Sequence, residues 1–176
     1  MKKIILILIL SIFFASCNSS KRVVTKKSKT TKTTKTTKKR NSSPSASTPK
    51  TVANIIDYAK TFEGTRYKYG GTTKKGMDCS GLIVTAFKKE NIVLPRTTAD
   101  LSKRGDWIDV KKLKEGDLVF FATSKNSRRV NHVGIVTSSR PGHVEFIHAS
   151  SSRGVMISNL AERYWYQAYV QARRVL

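Results

Sequence analysis

The sequence predicts an α+β domain over residues 51–176, with N-terminal helices packed on an antiparallel sheet, and two patterns carry that prediction. Apolar residues recur at helical spacing in its first part, as Val52, Ile55, Ile56, Ala59 and Phe62 and again as Leu82, Ile83, Ala86 and Phe87. Short apolar runs bounded by turn residues fill the remainder. Helices followed by strands joined through hairpin-length links, instead of strict alternation, argue for segregated layers.

Taken in order, residues 51–62 read as an amphipathic helix that stops before Gly64. A second helix runs from Asp78 to about Glu90, with Asp78 as its N-cap, Cys79 as its first residue, and Lys88 and Lys89 in its last turn, where cations suit the helix dipole. A loop carrying Leu94-Pro95-Arg96 leads to strands expected at Asp117–Phe121, His132–Thr137, Val144–Ala149 and Ala168–Arg173. The link from Ser138 to His143 is short enough to make the middle two an antiparallel hairpin.

Charge and the N-terminal third set the compartment. The 176 residues carry 34 Lys and Arg against 11 Asp and Glu, a formal net charge of +23. Residues 1–16 begin Met1-Lys2-Lys3 and continue into an apolar run, Ile4 to Ala15, well short of the ~20 residues that cross a bilayer. This is the pattern of an export signal. Phe14-Ala15-Ser16-Cys17 resembles the bacterial lipoprotein box, which implies acylation of Cys17 and a lipid anchor. Asn18 after it, where aspartate would retain an enterobacterial lipoprotein in the inner membrane, implies an outer-membrane position facing the periplasm.

Residues 17–50 hold that cysteine and a Lys/Thr/Ser stretch with no acid and no aromatic, expected as a disordered basic linker. Such charge suits nucleic acid or envelope polyanions, and export excludes the former. The chain is therefore expected to meet membrane through its anchor, to bind no nucleic acid, and to act as a monomer.

With Cys17 acylated, Cys79 is the only other cysteine, so no intramolecular disulfide can form. At a helix start its thiol meets unpaired N–H groups that favour thiolate, and the small residues Gly70, Gly71, Gly76, Ser80 and Gly81 leave room for a substrate backbone. A nucleophilic thiol needs an imidazole, and the chain has three histidines: His132, His143 and His148. His132 opens one hairpin strand and His148 closes the other, nearly opposite each other, so His148 can hold the ring of His132. His143 falls in the turn and is set aside. Cysteine and histidine also ligate zinc, but the paired close spacing of a zinc site is missing, and neither metal nor cofactor is expected.

Tyr67-Lys68-Tyr69-Gly70-Gly71, Asp78-Cys79-Ser80-Gly81-Leu82, Leu94-Pro95-Arg96-Thr97, Gly116-Asp117-Leu118-Val119-Phe120-Phe121, His132-Val133-Gly134-Ile135-Val136 and Ile147-His148-Ala149-Ser150 occur together in this order. In this the chain resembles the NlpC/P60 cysteine peptidases. The resemblance implies a papain-like fold with Cys79 as nucleophile, His132 as base and acid, and His148 orienting His132. It also implies that Tyr67 reaches into the site and that Asp78 and Ser80 contact a substrate amino group, while Arg96 supports the fold or meets a carboxylate. The anchor signal with a single catalytic domain resembles the family's lipoprotein murein endopeptidases. That implies a peptidoglycan hydrolase cutting D-alanyl–diaminopimelate cross-links. The γ-D-glutamyl-diaminopimelate bond, or wall binding without catalysis, are the alternatives.

Overall fold

The computed structural model describes residues 49–176. The expected signal, Cys17 and nearly all of the basic linker lie outside the described residues. Helix α1 spans Pro49–Lys60 and buries Ile55, Ile56 and Ala59, with Phe62 buried just beyond it. It starts and ends two residues earlier than its apolar spacing predicts, because Thr61–Gly64 already turn, with Gly64 at φ +79°. Two very short strands, β1 (Thr72–Thr73) and β2 (Gly76–Met77), form a hairpin. Helix α2 follows at Cys79–Lys88, capped by Asp78 as the sequence predicts. Its buried side, Leu82, Ile83, Ala86 and Phe87, matches the helical spacing read from the sequence.

Beyond the short helix α3 (Thr98–Leu101) come β3 (Asp106–Ile108), β4 (Leu118–Phe121), β5 (His132–Arg140), β6 (His143–Ser150) and β7 (Gly154–Asn159). Helix α4 (Arg163–Ala168) then leads directly into β8 (Tyr169–Arg174). The six longer strands form one antiparallel sheet in the order β3-β8-β4-β5-β6-β7. The architecture is thus α+β, with α1 and α2 on one face of an antiparallel sheet.

Apolar residues cover both faces of the sheet. Phe120, Ile135, Ile147 and Val155 join Ile55, Leu82 and Phe87 of the helices. Val119, Phe121, Val136 and Phe146 turn to the other face, under Leu160 and Trp165. Double coverage explains why Leu118–Phe121 reads as an unbroken apolar run, with every residue buried. The expected six-residue link between β5 and β6 is instead a tight turn at Pro141-Gly142. Arg140 pairs with His143, and Gly142 takes φ +74°, so the polar Ser138 and Ser139 remain strand residues.

The β4 and β8 ends are locked by Asp117, 1% exposed. Its Oδ1 accepts from Arg174 Nε at 2.8 Å, and its Oδ2 accepts from Arg174 Nη2 at 2.7 Å and from the Lys114 N–H at 2.8 Å. Asp117→Asn keeps the volume but withdraws the carboxylate from a bidentate guanidinium. It is expected to lower unfolding free energy by about 2–3 kcal/mol, read as a fall in the urea midpoint with an unchanged m-value.

Candidate active site

The site is laid out from Asp78. Its extended backbone (φ −100°, ψ 173°) ends the approach to α2, and its Oδ1 accepts from the Gly81 N–H at 2.7 Å as the helix cap. Oδ2 accepts from the Gly70 N–H at 2.6 Å and from Arg96 Nη2 at 2.7 Å. Arg96 Nη1 donates to Ser80 Oγ at 2.6 Å, and Ser80 donates in turn to Asp78 Oδ1 at 3.4 Å. Burial works to raise the Asp78 carboxyl, but the hydrogen bonds from Arg96, Gly81 and Gly70 outweigh it and hold the group below its ordinary value. Arg96 is therefore tied to the carboxylate of Asp78 and also lines the pocket over Cys79.

The glycines near Cys79 have a tighter reason than substrate access. A Cβ on Gly81 would run into the Gly71 carbonyl oxygen, and one on Gly71 into the Gly76 carbonyl. The β1–β2 hairpin and the start of α2 thus pack backbone to backbone, which only glycine permits.

Cys79 is 8% exposed at the first turn of α2. Its Sγ shares a hydrogen bond with Thr98 Oγ1 at 3.7 Å, and the N–H groups of Ser80 and Val133 point at the sulfur. The helix start predicts an acidified thiol, and the structure reverses that expectation. Burial pushes the thiol up, the Asp78 charge adds to it, and both exceed the lowering by Thr98, Ser80 and Val133. The balance favours the thiol form, which requires a base to become a nucleophile.

His132 is the first residue of β5, directly before the Val133 N–H that faces the sulfur. Its Nε2 lies 3.0 Å from Nδ1 of His148 in a hydrogen bond. The two lie nearly opposite each other, as the sequence predicts, but not in direct register. Ile135 pairs with Ile147, so His148 falls opposite Gly134, and the histidines meet on a diagonal of the same face. Gly134 keeps that diagonal open, since a Cβ there would press on the Phe146 ring and come within 3.4 Å of His148 Cβ. Trp165 of α4 covers the pair, stacked on His132 at 5.4 Å and edge-on to His148 at 4.7 Å. His143 stands apart at the far end of the hairpin, exposed beside Glu145 and Asn159.

A pocket of about 400 Å³ opens over the sulfur, lined by Tyr67, Asp78, Cys79, Ser80, Arg96 and Thr98, with Asn131 on the histidine side. Of the sequence-predicted residues, Tyr67, Asp78 and Ser80 line the pocket with Cys79, while His132 and His148 form their own hydrogen-bonded pair, starting one residue before Val133, whose N–H faces the sulfur. The sequence reading does not single out Thr98, at the sulfur, or Trp165, against the histidine pair, as site residues. Thr98 follows the Leu-Pro-Arg-Thr segment, and its hydroxyl beside the sulfur has no sequence pattern to announce it. Among the described residues no group of three or more His, Cys, Asp or Glu is arranged to hold a metal.

The NlpC/P60 family model matches residues 64–174, most of the described chain. The chain belongs to the NlpC/P60 family. It is 42% identical to a probable endopeptidase NlpC homolog of Haemophilus influenzae over 77% of this chain and 68% of that protein. It is 41% identical to the murein DD-endopeptidase MepS/murein LD-carboxypeptidase of Escherichia coli, covering 70% of this chain and 63% of the relative's length. An NlpC/P60 family protein of Bacillus cereus superposes with a TM-score of 0.64 at 32% identity, over 71% of this chain and 40% of that one. The pocket over Cys79 is thus a candidate active site in an NlpC/P60 domain.

Burial holds both rings of this domain below the ordinary histidine value of 6.5, His132 at about 4 and His148 at about 3, where the His132 and Arg153 charges add to the effect. In the unfolded chain the rings take protons at about 6.5, whereas the folded rings resist them until about 4 for His132 and about 3 for His148. Stability from this source is complete above pH 6.5 and falls as pH drops toward 4. Urea midpoints of the wild type are expected to decline over that window, and those of His148→Gln to decline less steeply.

Proposed function

We propose that this NlpC/P60 protein is a peptidoglycan hydrolase, a cysteine endopeptidase that cuts D-alanyl–diaminopimelate cross-links. The observation that carries the reading is the helix-start thiol of Cys79 set at the first residues of β5, beside a buried His132–His148 pair, in a pocket walled by Tyr67, Asp78 and Ser80. Identity to the murein endopeptidase of E. coli supports the choice of substrate.

In this reading His132 takes the Cys79 proton as sulfur attacks the D-alanyl carbonyl carbon. The oxyanion forms at the start of α2, where the Cys79 N–H is available to it. His132 then gives its proton to the departing diaminopimelate amine, leaving an acyl-thioester on Cys79. Water deprotonated by His132 attacks the thioester, releases the D-alanine carboxylate and restores the thiol. Tyr67, Asp78 and Ser80 line the wall that would hold the substrate's amino group. Residues 1–16 and Cys17 support export and lipid anchoring in the cell envelope, facing the periplasm, with the basic stretch as tether and the protein acting as a monomer. Among the described residues no helix is long and apolar enough to cross a membrane.

Purified muropeptide dimers decide the bond. The wild type is expected to convert D-alanyl–diaminopimelate dimers to monomers, and Cys79→Ala to lose at least ~10³-fold in rate. Cleavage within monomers at the γ-D-glutamyl bond, or release of a terminal D-alanine, would assign a different bond, and intact dimers with the wild type would leave only wall binding. The pH profile of kcat/KM is expected to keep its plateau below pH 6.5, with an acid limb near 4 from His132 and an alkaline limb above the ordinary thiol value of 9.0. An acid limb at 6.5 would contradict a desolvated base.

A further inference from the structure

The histidine pair does not end at His148. Nε2 of His148 lies 3.0 Å from the hydroxyl of Ser158 on β7, and both residues are buried, at 0% and 4% exposure. His148 pairs with Met156 and Phe146 with Ser158, so His148 and Ser158 share a sheet face with an offset of two residues. His132, His148 and Ser158 thus form one diagonal row across β5, β6 and β7, hydrogen-bonded at 3.0 Å and again at 3.0 Å.

We propose that Ser158 is a positioning residue of the active site, the terminal acceptor of a His132–His148–Ser158 relay that leaves Nδ1 of His132 free to take the Cys79 proton. This deepens the peptidase reading above and rests on it. The argument is one of proton placement. The link between the rings holds one proton. If that proton is on Nε2 of His132, the Nδ1 of the same ring is bare and can act as base. Nδ1 of His148 is then the acceptor, so His148 must carry its own proton on Nε2, where the Ser158 oxygen receives it. If the shared proton is instead on Nδ1 of His148, Ser158 donates to a bare Nε2, and His132 holds its proton on Nδ1, where it blocks the base.

The reaction itself requires the first arrangement. Once His132 has taken the thiol proton, both of its nitrogens carry hydrogen, so Nδ1 of His148 has to be bare and its Nε2 has to be protonated. A buried N–H without an acceptor is costly, and Ser158 is the acceptor that the described residues supply. Removing the hydroxyl should therefore weaken proton transfer while leaving the pocket wall, and with it substrate binding, in place.

The full chain labelled with ¹⁵N-histidine tests this, because it contains only three histidines. Ring ¹⁵N shifts of the wild type are expected to place protons on Nε2 of both His132 and His148. Ser158→Ala should change the His148 tautomer and lower kcat on muropeptide dimers roughly tenfold to a hundredfold with KM unchanged. Ser158→Thr, which keeps a hydroxyl, should restore the shifts and most of the rate. Thermal unfolding of each variant separates this from misfolding. If Ser158→Ala does not fold, Ser158→Cys, of similar size and a weak acceptor, should show the same tautomer change. A wild-type His132 protonated on Nδ1, or a folded variant lacking the hydroxyl with wild-type shifts and kcat, would overturn the relay. A wild type that leaves muropeptides intact would instead defeat the peptidase reading, while the ring shifts still decide where the protons lie.

Discussion

The carboxylate of Asp78 is the interaction on which the arrangement of the site depends. It caps α2 through Gly81, anchors the Gly70 turn and pairs with Arg96, so three chain segments meet at one group adjacent to Cys79. Each bond is charge-assisted, and together they outweigh the cost of burying the group. The same carboxylate sets the direction of α2, and hence where the first-turn thiol emerges. Glycines at positions 71 and 81 let the hairpin backbone lie against the helix start closely enough for this to happen.

Desolvation then determines the resting chemistry. It acts in opposite directions on the two reacting groups, raising the thiol of Cys79 and lowering the imidazole of His132. Both shifts favour the neutral forms, thiol and imidazole. Charge appears only when a substrate carbonyl draws it out, and the groups around it are already oriented: Trp165 against both rings, His148 on Nε2 of His132, and N–H groups at the sulfur. That is a site preorganised for a transient charge.

Much of this was legible in the sequence, and what was missed has physical causes. The Asp78 cap, the first-turn position of Cys79 and the β5–β6 hairpin follow from local rules, because capping and strand alternation are short-range. The residues Cys79, His132 and His148 could be singled out because so few thiols and imidazoles are present. Thr98 and Ser158 could not, since a hydroxyl acquires meaning only from the atom it faces across strands or segments far apart in sequence. The sequence reading predicts no strand at β7, which carries Ser158, and β3 is too short and polar to stand out. The exact pairing of β5 with β6, and the extent of both strands past Thr137, required the tight turn at Pro141-Gly142 to be seen. The direction of the Cys79 shift is not legible in the sequence, because helix position is a local property, whereas burial is a property of the whole fold.

The most direct test of the central claim is to trap the acyl-enzyme. Wild-type protein mixed with cross-linked muropeptide and quenched rapidly in acid should yield a Cys79-containing peptide whose mass is increased by the donor acyl group, absent from Cys79→Ala. Cleavage that proceeds with no acyl group on Cys79 at any time, or with the group on another residue, would contradict the account.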